Sequence, residues 1–269
     1  MGGLLALATT GPGALSLRFE TPAGEVPRAL LHVHPHPSPS PTQTMPTNIL
    51  IPFYSAYGHV FQMARAVEEG AADAEARGDG TDVRLTRVPE LEQAREAMGG
   101  QDAYQQAQEQ MADIDEVTHD DLRWADGIIW GTPTRYGNMT AQMKQFIDST
   151  GALWQNGELE DKATGVFTST ATIHGGQETT ILTSLVPLLH LGMVFVGTPY
   201  GQNPHILTTE GLGGSPYGPA TMAGGDGSRQ PVEDEFKTAR NLGERVAEVA
   251  ARLKDLRGSG EAEAETYTS

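Results

Sequence analysis

Three short polar stretches carry residue types suited to holding an anion or a flat polar ring. The first is Ser55-Ala56-Tyr57-Gly58-His59-Val60, placed between an apolar run and a helical pattern. A strand that enters a helix through small polar residues leaves backbone N–H groups unpaired at the positive end of the helix dipole. That arrangement suits a phosphate or another compact anion. Ser55 can bond such an anion or cap the helix, and Gly58 permits close backbone approach. An ordinary capped turn has the same composition. The stretch lacks the Gly-x-x-x-x-Gly-Lys of nucleoside triphosphatases, and no Gly-x-Gly-x-x-Gly follows any strand.

The second stretch runs from Gly131 through Thr132-Pro133-Thr134-Arg135-Tyr136-Gly137 to Asn138. Pro133 stiffens it, Gly137 frees the turn, and Asn138 can cap the helix that follows. Thr134, Arg135 and Tyr136 offer backbone and side-chain groups to a planar ring, and Arg135 can meet negative charge or simply form a surface ion pair. The third is Ser169-Thr170-Ala171-Thr172-Ile173-His174-Gly175-Gly176, again small hydroxyls and glycines ahead of a helix. Taken singly, His174 reads as structural and Trp154 as core.

Elements able to place these stretches are legible around them. Strands are expected over Ile49–Tyr54, Asp82–Val88, Gly127–Gly131, Gly165–Thr170 and Met193–Val196. Helices are expected over 60–76, Asn138–Thr150, Gln177–His190 with a kink at Pro187, and Val232–Leu256. Gly78-Asp79-Gly80 is a stop signal. Pro89 to Asp121 reads as loosely packed helix and loop, and Thr198 to Arg229 as a long Gly-rich loop. Short strands that are apolar on both faces and alternate with helices predict an α/β fold: a doubly wound, five-stranded parallel sheet with helices on both faces. In such a sheet the ligand sits beyond the carboxyl ends of the strands, where all three polar stretches fall. Pro52 conflicts with a central position for the first strand unless that strand is already ending there.

The totals exclude several classes. A formal net charge of -17 with scattered Lys and Arg opposes nucleic acid and anionic membrane surfaces. With no cysteine in 269 residues, disulfides, thiolate catalysis, Cys-ligated zinc and iron–sulfur clusters are out, and a reducing cytoplasm fits. No apolar run approaches a transmembrane segment, and neither a metal-ligand cluster nor a Gly-x-Ser-x-Gly elbow is present. Residues 1–44, with His32, His34 and His36 in a Pro/Ser tract, are expected to be a disordered leader or a mis-called start before Met45. Residues 45–257 are expected to form the folded domain, and 258–269 a mobile acidic tail.

Together, Ser55-Ala56-Tyr57-Gly58-His59, Gly131 to Met139, Ser169 to Glu178 and Thr221 to Pro231 resemble the WrbA family of flavodoxin-like NAD(P)H:quinone oxidoreductases. The resemblance spans about Met45 to Leu256. It implies non-covalent FMN, a homotetramer, and transfer of two electrons from NADH or NADPH to quinones in a ping-pong cycle through flavin N5. By matching motif, Ser55, Ala56, Tyr57, Gly58, His59 and Val60 would bind the ribityl phosphate. Thr134, Arg135, Tyr136, Ser169, Thr170, Ala171, Thr172, Ile173, His174 and Gly175 would line the flavin, which His190 also approaches. Tyr57 matches the nicotinamide-nucleotide residue and Trp154 the substrate residue. No catalytic side chain is implied, since the flavin carries the chemistry. Arg135 and Arg229 are the arginines that these loops offer a 2′-phosphate. A flavodoxin-type one-electron carrier docking on protein partners shares the fold and the acidity, and a flavin-binding module without turnover is a third reading. The long loop after Thr198 and Trp154 argue for an enclosed substrate site instead.

Overall fold

The computed structural model describes residues 45–74 and 80–260. The leader, Gly78 and Asp79 of the stop signal, and 261–269 of the tail lie outside the described residues. The chain opens with β1 (Thr47–Phe53), α1 (His59–Ala72) and β2 (Thr81–Arg87). Three short helices follow, α2 (Glu92–Met98), α3 (Asp102–Gln110) and α4 (His119–Trp124), then β3 (Gly127–Pro133), α5 (Ala141–Asp148) and α6 (Gly151–Gln155). The second half holds β4 (Ala163–Thr170), α7 (Gln177–His190), β5 (Val194–Phe195), β6 (Ala220–Met222) and α8 (Glu233–Gly260).

The sheet is parallel, in the order β2-β1-β3-β4-β5, with β6 beside β4. This is the doubly wound order in which the switch point lies between β1 and β3. Two apolar cores form, one per face. Ile49, Ile51, Phe53, Ile129 and Phe167 meet α1 and α8, while Leu50, Ile128, Trp130 and Val166 meet α4 to α7. Helices α1 and α8 approach closely at two glycines. A Cβ on Gly70 would lie 1.9 Å from the Arg240 oxygen, and one on Gly243 would lie 2.1 Å from that of Val67.

Several expectations are corrected. The sheet has a sixth strand: β5 and β6 both pair with the edge of β4 left free by β3, against its first and last residues. Residues 196–219 therefore form an excursion that interrupts one edge position, and the long loop is not structureless. A 3-10 turn at Pro204–Ile206 also lies within it. β2 is half-exposed and alternating because it is the opposite edge, so only the inner strands are apolar on both faces. α8 runs to Gly260, beyond the expected start of the tail. Asn138 does not cap α5; Thr140 does, its Oγ1 accepting from the Met143 amide at 3.4 Å. Asn138 instead closes a tight turn with Arg135.

Pro52 sits inside β1 with one strand residue after it. The amides of Asn48 and Tyr54 point toward β3, and Tyr54 bonds Gly131 O at 2.9 Å. By the alternation of a parallel strand, the nitrogen of Pro52 faces β3 too. The register with β3 breaks at Ile51 and Pro52 and resumes at Phe53, while that with β2 is continuous. The missing donor is confined to one neighbour.

Candidate functional site

The carboxyl ends of β1, β3, β4 and β6 open on one cleft of about 650 Å³, within the usual size of a cofactor site. Its floor at the β1 end is the turn 55–60. Gly58 takes φ +91, a left-handed conformation that glycine adopts without steric cost, and starts α1 with no side-chain cap. Ser55 is buried, and its Oγ accepts from the amides of Gly58 at 3.2 Å and Phe61 at 3.3 Å. With its oxygen so used, its proton is free for an acceptor in the cleft. Among the described residues, the amides of Ala56, Tyr57, His59 and Val60 donate to no protein group. Four free amides and a hydroxyl at a helix N-terminus are the donor set of a phosphate site.

His59 is buried and donates from Nε2 to the oxygen of Arg229 at 2.9 Å. Gln62 bonds Gln230 at 2.8 Å. These bonds close the cleft with the loop 223–230, whose Ala223, Gly224, Gly225, Asp226 and Gly227 line it. Asp226 accepts from the amide and hydroxyl of Ser228, which hold its carboxyl below the usual range. Arg229 is unavailable to a 2′-phosphate: it forms a two-pronged pair with fully buried Glu235 at 2.9 and 3.1 Å.

The loops after β3 and β4 are knit together. The Thr134 amide bonds Ser169 O at 2.9 Å, and Thr134 Oγ1 accepts from Thr180 at 2.7 Å. Pro133, Thr134, Arg135, Ser169, Thr170 and Ala171 line the cleft. Arg135 has no ion pair among the described residues; its guanidinium bonds the Thr134 oxygen.

Of the site residues expected from sequence, Ser55 to Val60, Thr134, Arg135 and Ser169 to Ala171 are brought together. Thr172, Ile173, His174 and Gly175 form a turn beyond the lining, and the first three are exposed. Tyr136, at φ 54, projects fully into solvent beside the mouth. Trp154 and His190 are elsewhere. α7 has 14 residues, about 21 Å, and runs back from the end of β4 to the start of β5, so His190 lies at the amino end of the sheet. Trp154, in α6 before β4, stands at that end also, and at 59% exposure it is not core. Neither reaches the cleft of its own chain.

Sequence reading missed one wall. Gln101, Ala103, Gln106, Ala107 and Gln110 of α3 and its leading turn face the cleft, and Tyr57 Oη donates to Gln101 at 2.9 Å. The one available signal was the Gln/Ala composition, which has no apolar stripe because α3 covers the end of the sheet rather than a face.

A family described as NADPH-dependent FMN reductase matches residues 56–205. A protein of Aromatoleum aromaticum named NAD(P)H dehydrogenase (quinone) is 50% identical over 207 residues, covering 76% of this chain and 96% of its own. One of the same name from Geobacter metallireducens is 50% identical over 208 residues, covering 77% and 98%. Among solved structures, a WrbA-like flavodoxin protein from Agrobacterium tumefaciens superposes with a TM-score of 0.53 at 25% identity, covering 77% of this chain and 99% of that one.

Proposed function

Because the chain belongs to the NADPH-dependent FMN reductase family and is close to NAD(P)H dehydrogenases (quinone), we propose that the cleft holds FMN with its phosphate on the turn 55–60. The protein is an FMN-dependent oxidoreductase that reduces quinones with NADH or NADPH. The observation that carries the placement is the group of four free amides beside the Ser55 hydroxyl. They satisfy a phosphate through fixed dipoles and require no lysine or arginine.

FMN held there would supply two-electron redox chemistry between the nicotinamide nucleotide and the quinone. The chain binds and orients. The Thr134 hydroxyl, the Arg135 guanidinium and the Ala171 amide would face the polar edge of the ring, where they would stabilise negative charge that develops there. Tyr57, 42% exposed at the mouth, gives the nicotinamide nucleotide a flat surface. One mouth serves both substrates, so they occupy it in turn.

The active form in this reading is a cytoplasmic homotetramer. Leu182, Val186 and Leu189 make an exposed apolar row on α7, which a second copy would cover. That copy would also bring Trp154 and His190 to a cleft they do not reach in their own chain. No described helix is long and apolar enough to cross a membrane. Titration of FMN fluorescence followed by steady-state assay with NADH or NADPH and benzoquinone tests the proposal. Tight FMN binding with turnover is expected, and the absence of both would overturn the proposal.

A further inference from the structure

Glu90, just past β2, takes no part in the scheme above, yet its carboxylate gathers donors from several elements. Oε2 accepts from Tyr54 Oη at 2.9 Å and Tyr104 Oη at 3.0 Å. Oε1 accepts from the Leu91 amide at 2.9 Å and Gln142 Nε2 at 2.6 Å, and Gln142 also bonds Tyr54 Oη at 3.0 Å. Burial, then Glu90 itself, pushes the Tyr54 phenol far above its ordinary range, and the same causes push that of Tyr104 up to about 12. Both stay protonated at neutral pH and remain fixed donors to Glu90.

The partners are those that shape the cleft. Tyr54 immediately precedes Ser55, and Gln142 follows the Thr140 cap just after the Arg135–Asn138 turn. Tyr104 belongs to α3, the cleft wall. Apolar packing holds that wall at three points, Tyr104 and Ala107 within α3 and Met111 at its end. Beneath it lies a cavity of about 320 Å³ lined partly by Arg87, Glu90, Gln108 and Glu116. Polar bonds also hold the wall: Tyr104 to Glu90, Gln108 Nε2 to the oxygens of Ser55 at 3.2 Å and Ala56 at 3.4 Å, and the exposed Tyr57–Gln101 bond. Of these, the Glu90 bond has a carboxylate acceptor, which makes it stronger than the bonds to neutral acceptors.

We infer that Glu90 is a positioning residue that holds α3 closed over the cleft and so sets how long FMN stays bound, without touching it. The inference rests on the FMN reading of the cleft. Tyr104→Phe tests it, because it keeps the ring packing and removes only the bond to Glu90. Hydrogen exchange of the full chain, with and without FMN, should show amides 102–111 exchanging on the order of ten-fold faster, the loss expected for a bond to a charged acceptor. Exchange in β3 and β4 should not change. FMN release, followed by its fluorescence on dilution, should speed up by about the same factor. Glu90→Gln should act in the same direction, with Glu90→Asp partly restoring retention. Wild-type exchange across α3 in Tyr104→Phe would overturn the inference, as would faster exchange with unchanged FMN release. Wild-type protein that binds no FMN would remove the cleft reading instead, and the FMN-free exchange would still decide whether Glu90 holds α3.

Discussion

His59 donates from its Nε2 to the main-chain oxygen of Arg229, 170 residues along the chain, at 2.9 Å. A carbonyl only accepts, so the bond fixes which ring nitrogen carries the proton. It also joins the turn 55–60 to the loop after β6, a part of the cleft not built on β1, β3 or β4. Arg229 is itself fixed by Glu235, whose carboxylate further accepts from the Gly213 amide at 2.9 Å, Thr221 Oγ1 at 2.8 Å and the Val232 amide at 3.1 Å. One buried acid thus anchors the 196–219 excursion, β6 and the start of α8.

Replacing Glu235 by alanine strands a partly buried guanidinium and several donors at once. Breaking a buried pair in this way costs about 3–5 kcal/mol, so the urea midpoint should fall sharply. FMN affinity should fall as well, because the carbonyl that holds His59 is no longer positioned. An unchanged midpoint would show that the excursion is held by other contacts.

Ser55→Ala separates phosphate recognition from ring recognition. It orphans the Gly58 and Phe61 amides, costing about 1–3 kcal/mol of stability, and removes the hydroxyl proton offered to the phosphate. FMN should bind about ten-fold more weakly, on the scale of one charge-assisted bond, while riboflavin, which has no phosphate, should bind as it does to the wild type. Equal losses for both ligands would place the phosphate elsewhere. Fluorescence titration with the two ligands in parallel gives the answer.

The turn 55–60, the loops after β3 and β4 and the two-core sheet were legible because they rest on local signals. Ile49–Phe53, Gly127–Trp130 and Gly165–Phe167 are runs without a polar side chain, as strands covered on both sides tend to be. Other features left no such mark. β6 is three residues in a Gly-rich segment, recruited because β4 has a free edge there. α3 has no apolar stripe because it lies over the end of the sheet, so neither its role as a wall nor its tie to Glu90 was readable. Asn138 and Thr140 are both able to cap, and the Arg135–Asn138 turn decides for Thr140. Motif matching assigned His190 to the flavin and Trp154 to the substrate without saying whose cleft they serve.

His205 gives the excursion a pH dependence. Its Nε2 side bonds Thr238 at 2.7 Å, and its buried Nδ1 has no partner among the described residues. Burial and then the nearby Lys237 hold its pKa below the ordinary value, while Asp234 opposes them. A histidine depressed in the folded state contributes stability that is fully present above its unfolded pKa, about 6.5. That contribution is lost as pH falls through the lower folded value. The wild-type urea midpoint should therefore drop more between neutral and mildly acidic pH than that of His205→Asn. Parallel pH profiles would refute this.

The row Leu182, Val186 and Leu189 on α7 is exposed at 42%, 56% and 59%, and its spacing places all three on one helix face. Val186→Glu puts a charge in the middle of that row, where the chain itself has no core to disturb, so folding should be little affected while association is opposed. Wild-type protein should run as a tetramer by light scattering and the variant as a smaller species. FMN titration should change little, because the turn 55–60 and the loops after β3, β4 and β6 that line the cleft belong to the same chain. Quinone turnover should fall, since Trp154 and His190 sit at the far end of the sheet and would reach a cleft only across an interface. A monomeric wild type, or a dissociated variant with full turnover, would each defeat this reading, the first by removing the assembly and the second by removing its need.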